Sequence, residues 1–329
     1  MQIPNDLFIL DRNSPLHKYR DSWIKKKLYR MTFSKKEQIK IQKELYLMDG
    51  IQIAESWRYL IDLYIENKIT PEKTKANKSF LNQKIIWQYW GQGIDNKLLP
   101  EIVKSCFNSI DTFKDDYIVI RLDDSSIKEY LEIPEFILQK KSNGDLSPAF
   151  FSDILRLSLL YHYGGIWIDA TMLLTDKIPI ALRSEDLFMF QRSPKALNKN
   201  IWENFNYTYF NWDRRHKVNV LNSFIISQKN CDSINMLLDL LLIFWKLQDR
   251  SDFYLFFQVL FDELTKYELK NKNGPLIDDT LPHILQLNLD STFSNKNYAD
   301  IKKHCFIHKL SHHKKEIRKN SFHQYLVNK

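Results

Sequence analysis

Apolar residues along this chain follow two different periods. Between residue 14 and about 80 they recur at helical spacing, as at Trp57, Leu60, Ile61 and Tyr64. Ser34-Lys35-Lys36-Glu37 reads as a capping box and Thr70-Pro71-Glu72 as a further helix start. Residues 1–80 are therefore expected to form a helical N-terminal segment. At Lys84 the pattern shifts. KIIWQYW is a short β-prone run meeting Gly91 and Gly93, LPEIVKSCFNSI reads as a helix, and DYIVIRL is a second strand ending at Asp123 and Asp124. Strand, helix and strand at this spacing predict a parallel βαβ unit.

Ser147-Pro148 supplies an N-cap and a first-turn proline, and Gly164-Gly165 a stop, so Pro148 to Tyr163 is expected to be one helix. A buried strand should follow from Ile166 to Asp169. Farther on, LNSFIIS reads as a strand, SINMLLDLLLIFWKLQ and FYLFFQVLFDELTKY as buried helices, and KHCFIHKL as a late strand. Within the 148–163 helix, Ser152, Asp153 and Arg156 share an arc of roughly 100°, while Phe151, Ile154, Leu155, Leu159 and Leu160 fill most of the rest. A polar notch is thus cut into a buried helix. Taken alone, Asp153 and Arg156 are equally an i,i+3 ion pair worth about 0.2–0.5 kcal/mol. Asp169 changes the weighting, because ligands of open parallel sheets bind beyond the carboxyl ends of the strands.

The 44% hydrophobic and 14% aromatic content excludes a disordered chain, and 329 residues can bury a substantial core. Cys106, Cys231 and Cys305 lie far apart with no C-x-x-C spacing, which argues against a disulfide framework or a zinc knuckle and suits a reducing cytosol. No secretory h-region is visible at the start. The longest apolar run, Met236 to Trp245, is broken by Asp239 and falls far short of the ~20 residues that cross a bilayer. Net charge is +8, with bases crowded into YRDSWIKKKLYRMTFSKKEQIKIQK and HKLSHHKKEIRK. Such segments suit anionic lipid, nucleic acid or a pyrophosphate-bearing substrate, or are solvated helix faces. A non-enzymatic basic protein that binds anionic lipid or nucleic acid is the alternative to an enzyme. No zinc-finger, RRM or helix-turn-helix signature accompanies the charge, which leaves nucleic acid the weaker partner.

FSDILRLSLLYHYGGIWIDAT, with its pattern S-D-x-L-R, helix, G-G-x-[WY]-x-D-x-[DT], resembles the signature of the capsular polysaccharide synthesis proteins. These belong with the DXD-type sugar transferases of glycosyltransferase family 32 and share features with the large clostridial glucosylating toxins. The resemblance extends to KIIWQYWGQG with LPEIVKSCFNSI, and more weakly to FIHKL. It implies an α/β, Rossmann-like GT-A fold over residues 81–329 and a nucleotide-sugar donor. In that frame Asp169 matches the first motif acid, near the ribose hydroxyls and a Mn²⁺ or Mg²⁺ ion, and Thr171 stands where the second acid would be. Asp153 is similar to the aspartate that binds ribose, and Arg156 to the arginine near base and sugar. Trp90 matches a tryptophan that stacks on uracil, although a core tryptophan is the competing role. Gly91 would let the backbone approach the nucleotide. His308 and Lys309 resemble a late His/Lys element that helps hold metal and diphosphate. Asp252, Asp278 and Asp279 are weaker candidates for the acceptor side.

The resemblance implies a retaining transferase that moves a hexose, galactose or glucose, from a UDP-sugar to a lipid-linked oligosaccharide in capsule or exopolysaccharide assembly. Its expected place is the cytoplasm, peripheral on the inner face of the cell membrane.

Overall fold

A computed structural model of the chain describes residues 3–328 except 5, 12–16, 18–28, 30, 82, 96 and 313–315. Most of the expected helix before residue 31, with its basic run, lies outside the described residues. Helix α1 (Lys35–Ile65) starts where the capping box predicts, the Ser34 hydroxyl accepting from the Glu37 amide and the Glu37 carboxylate from the Ser34 amide. Its Ile53, Trp57, Leu60 and Ile61 join the main apolar core, and the Trp57 indole donates to the Phe256 carbonyl at 3.0 Å. The helix expected at Thr70-Pro71-Glu72 does not form. Instead Lys75–Ala76 (β1) pairs with Leu131–Glu132, the Thr74 hydroxyl meets His162 Nε2 at 3.0 Å, and the Lys73 ammonium reaches Asp239 Oδ1 at 2.6 Å. These tertiary contacts hold the segment extended and override the local helix signal.

Strand β2 (Ile85–Tyr89), helix α2 (Glu101–Phe113) and strand β3 (Ile118–Leu122) form the expected parallel unit, registered from Ile85↔Ile118 to Tyr89↔Leu122. After β4 (Leu131–Glu132) and α3 (Glu135–Asn143) comes α4 (Pro148–Tyr163), with the predicted bounds, its Ser147 hydroxyl accepting from the Phe150 amide. Gly164 and Gly165 end it at φ of +70° and +101°. A Cβ on Gly165 would stand 2.4 Å from the Ile85 carbonyl oxygen, so only glycine lets β5 (Gly165–Ile168) begin flush against β2.

Beyond β5 a turn, closed by the Met172 amide donating to the Asp169 carbonyl at 2.9 Å, leads into β6 (Met172–Leu174). Helix α5 (Ile180–Arg183), strand β7 (Leu187–Gln191) and helix α6 (Lys199–Asn206) precede β8 (Val220–Ser227). The central sheet runs β3-β2-β5-β8-β7, with β8 antiparallel to both its neighbours. The fold is therefore mixed α/β with a mixed sheet. Strands β1, β4, β6 and β7 were not read from the sequence. Helices α7 (Asp232–Leu247), α8 (Phe256–Lys266), α9 (Ile284–Leu287) and α10 (Asn295–His304) follow, then β9 (Ile307–Lys309), antiparallel to β6, and α11 (Phe322–Val327). A second apolar cluster, with Val103, Cys106, Ala170, Leu173, Leu285, Ile301, Phe322 and Leu326, lies beneath the 169–171 turn. No helix among the described residues is long and apolar enough to cross a membrane.

Candidate functional site

Strands β2, β3 and β5 are parallel, so Tyr89, Leu122 and Ile168 end at one edge of the sheet. Because β8 runs the other way beside β5, its beginning, with Asn222 and Ser223, lies at that same edge. Helix α4 leads back to the start of β5, which brings its first turns, with Ser152, Asp153 and Arg156, there as well. A cleft of about 940 Å³ opens at this edge and is lined by Trp90, Gly91, Asp153, Arg156, Asp169, Thr171 and Lys309 among others. Ligand position in open α/β sheets follows the same rule.

Arg156 links the two acids. Its Nη1 stands 3.1 Å from Asp153 Oδ1 and its Nη2 3.4 Å from Asp169 Oδ1. The guanidinium is locked by the Ser152 carbonyl and hydroxyl at 3.1 and 3.0 Å and the Asn222 carbonyl at 2.7 Å. The polar notch on α4 is thus a fixed scaffold rather than a free surface ion pair. Asn222 donates to Asp153 Oδ1 at 2.9 Å and is itself held by Gln258 at 3.2 Å. On the far side, Lys309 Nζ donates to Asp169 Oδ2 at 3.0 Å, Thr171 Oγ1 at 3.1 Å and Ser223 Oγ at 2.8 Å. The Trp167 indole donates to Asp169 Oδ1 at 2.7 Å.

Burial alone would raise both acids. For Asp169 the Lys309 and Arg156 charges and the Trp167 and Ser223 hydrogen bonds outweigh it and hold the carboxyl at about 2. For Asp153 burial wins, reinforced by the Asp169 charge and only partly offset by Arg156 and Asn222, and the group is pushed up to about 6. Two neighbouring carboxyls are thereby separated, one ionised throughout the neutral range and one titrating just below it.

The residues present do not fit a protein-held divalent cation. The oxygens that a Mn²⁺ or Mg²⁺ ion would use, on Asp169, Thr171 and Ser223, are each bonded to the Lys309 ammonium. His308, expected as a further ligand, is turned away. Adjacent residues of a strand face opposite sides, so with Lys309 in the cleft His308 lies fully buried behind β9, its Nε2 3.2 Å from Thr175 Oγ1. Burial lowers its imidazole to about 3, so it is neutral there. Among the described residues no group of three His, Cys, Asp or Glu side chains is placed to hold a metal.

Trp87 is a core residue, fully buried, whereas the half-buried Trp90 borders the cleft with His312 edge-on at 5.1 Å. Gly91, on the cleft wall, also answers a local steric need. A Cβ there would meet the Tyr89 hydroxyl at 2.5 Å, so its absence makes room for the bond of that hydroxyl to Asp124 Oδ1, which Lys141 also contacts at 2.6 Å. Tyr89, Asp124 and Lys141 all line the cleft.

The candidate acceptor acids are not on the cleft wall. Asp252 pairs with Arg250 at 3.4 Å, and Asp278 caps the Ser193 and Thr280 amides. Asp279, fully buried, holds Arg192 at 2.6 Å. The Arg192 guanidinium lies over the Tyr209 and Phe210 rings at 5.3 and 4.8 Å and so steadies two aromatic residues that do line the cleft. Ser223, Asn222 and Gln258 were not singled out from the sequence. Their one local signal is a polar pair, Asn222-Ser223, heading the apolar strand β8.

Among solved structures the chain is similar to PaToxG Glycosyltransferase at 18% identity and a TM-score of 0.32, covering 80% of this chain and 95% of that one. Among characterised sequences, O-glycosyltransferase braB of Annulohypoxylon truncatum is 29% identical over 97 residues, which is 27% of this chain and 23% of that protein's length. The family model for capsular polysaccharide synthesis proteins matches residues 21–328, nearly the whole chain, and the protein belongs to that family.

Proposed function

We propose that the chain is a GT-A-type retaining glycosyltransferase that moves a hexose from a UDP-sugar to a lipid-linked oligosaccharide in capsule assembly. The observation that carries this is the fixed array Asp153–Arg156–Asp169–Lys309 at the carboxyl edge of the parallel strands, opening on a cleft flanked by Trp90. Family membership and the name of the similar sequence, O-glycosyltransferase braB, support the same chemistry. Uracil would stack on Trp90, Asp153 and Asp169 would accept from ribose and sugar hydroxyls, and Arg156 and Lys309 would face the charge of the diphosphate.

In front-face displacement the acceptor hydroxyl oxygen bonds the anomeric carbon as the bond from that carbon to the diphosphate oxygen breaks. The bonding pair leaves with the diphosphate, which takes up the acceptor proton. Retention gives an α-linkage from an α-donor. The basic segments near the two ends would hold the enzyme at the anionic inner face of the membrane, where a lipid-linked acceptor resides. A purely lipid-binding or nucleic-acid-binding role would leave the buried carboxylate array without a use. A donor screen with purified protein, following hydrolysis of UDP-, GDP- and dTDP-sugars without acceptor, tests the proposal. Turnover of a UDP-hexose is expected, and no turnover of any nucleotide sugar refutes it.

A further inference from the structure

Lys309 sits where a sugar transferase of this design would place a divalent cation, and the way it is held says what takes the cation's part. Its ammonium has three N–H bonds and three acceptors, Asp169 Oδ2, Thr171 Oγ1 and Ser223 Oγ, at 3.0, 3.1 and 2.8 Å. The backbone beneath it cannot withdraw easily. Met172↔Lys309 are register partners in the β6–β9 ladder, and the next amide, Leu310, donates to the Thr171 carbonyl at 2.9 Å. Lysine and the Thr171 hydroxyl are therefore tied to one turn, to which β8 is joined by the Asp169 amide donating to the Ser223 carbonyl at 2.9 Å. The other Asp169 oxygen is taken by the Trp167 indole and Arg156. Asp169, the motif carboxylate expected to ligate a cation, thus has both oxygens engaged by donors of this chain.

Building on the transferase proposal above, we infer that Lys309, held in place by Ser223, binds the donor diphosphate directly together with the Thr171 hydroxyl, and that the enzyme works without a divalent cation. A hydroxyl that accepts from the ammonium keeps its own O–H to donate, so Thr171 presents a donor beside a full positive charge, while the Ser223 hydroxyl bridges Lys309 and Asp169. Threonine at the second acid position now has a physical reason. A carboxylate there would add a negative charge to the phosphate site, and like charges in close contact repel. Lys309 and Arg156 then meet the charge that grows on the leaving diphosphate in place of a dication. Ser223 acquires a role that no sequence motif assigned to it.

Calorimetric titration of UDP and of uridine into the full-length chain tests this, first in EDTA and then in Mn²⁺. UDP is expected to bind in EDTA, with Mn²⁺ changing its affinity less than about twofold. Lys309→Met, which keeps the stem, should lose at least tenfold for UDP and less than twofold for uridine. Thr171→Asp provides a second variant that leaves Lys309 in place. It should weaken UDP in EDTA by tenfold or more and recover when Mn²⁺ is added. Binding of UDP to the wild-type chain that tightens tenfold or more with Mn²⁺ would overturn the inference while leaving the transferase proposal standing. So would equal UDP affinities for wild type and a folded Lys309→Met. UDP that binds in neither buffer would overturn both.

Discussion

Replacing Asp169 by Asn separates the charge of this residue from its shape. The amide keeps an acceptor oxygen for the Trp167 indole, but the ion pairs to Lys309 at 3.0 Å and Arg156 at 3.4 Å are lost. The wild-type carboxyl is held at about 2, against 3.8 for an unperturbed aspartate. The difference corresponds to about 2 kcal/mol of folding stability at pH 7. Because the folded value is the depressed one, that stability is fully present above about pH 4 and is lost as pH falls through the folded value near 2. The gap between wild type and Asp169→Asn in urea unfolding should therefore be about 2 kcal/mol at pH 7 and roughly half of that at pH 3. At neutral pH the variant should remain folded, yet transfer should fall well beyond tenfold, a factor equal to about 1.4 kcal/mol of barrier. A stability gap that does not change between pH 7 and pH 3 would refute the electrostatic account. Turnover within tenfold of wild type would refute the placement of Asp169 in the site.

Asp153, raised to about 6, should give UDP binding an acid limb near that pH, absent from a uniformly weak Asp153→Asn when affinities are measured from pH 5 to 8. By the same linkage, its raised folded value makes the ionised form a stability cost that sets in between about pH 4 and 6, so Asp153→Asn should gain on wild type in urea melts above that window. Gly91→Ala puts a Cβ 2.5 Å from the Tyr89 hydroxyl and should cost about 1–3 kcal/mol in unfolding experiments. Adding Tyr89→Phe should recover part of that loss, and an undiminished loss in the double variant would show that the clash lies elsewhere. Trp90→Ala should weaken UDP by about 1–3 kcal/mol, the worth of a base stacked on an aromatic ring. Inorganic pyrophosphate, which has no base, should bind the variant within about twofold of wild type. A matching loss for both probes would remove the stacking role.

Much of the site was legible because its residues sit on elements whose ends are written locally. Ser147-Pro148 and Gly164-Gly165 bracket α4, so the facing of Asp153 and Arg156 follows from helical period, and the IWID run places Asp169 at a strand end. The misread positions depend on information outside any window. Whether His308 or Lys309 enters the cleft is a question of register against β6, and only the pairing Leu173↔His308 and Met172↔Lys309 answers it. Ser223 reaches Lys309 because β8 inserts antiparallel between β5 and β7, a pairing between segments some 55 residues apart that leaves no periodic trace. Thr70-Pro71-Glu72 carries a sound helix start, and the pairing of β1 with β4 defeats it.

The bond between Lys309 and Asp169 spans 140 residues of chain. At a synthesis rate of about 5–20 residues per second, a nascent chain carries Asp169 for roughly 7–30 s before its lysine exists. Of the two bases that face the carboxylate in the finished fold, Arg156 alone has been made by then, and it also pairs with Asp153. The completed site is thus a late event in the life of each molecule. Catalytic competence should appear as a step once β9 has been made and docked on β6, whatever helices and sheet have formed before it.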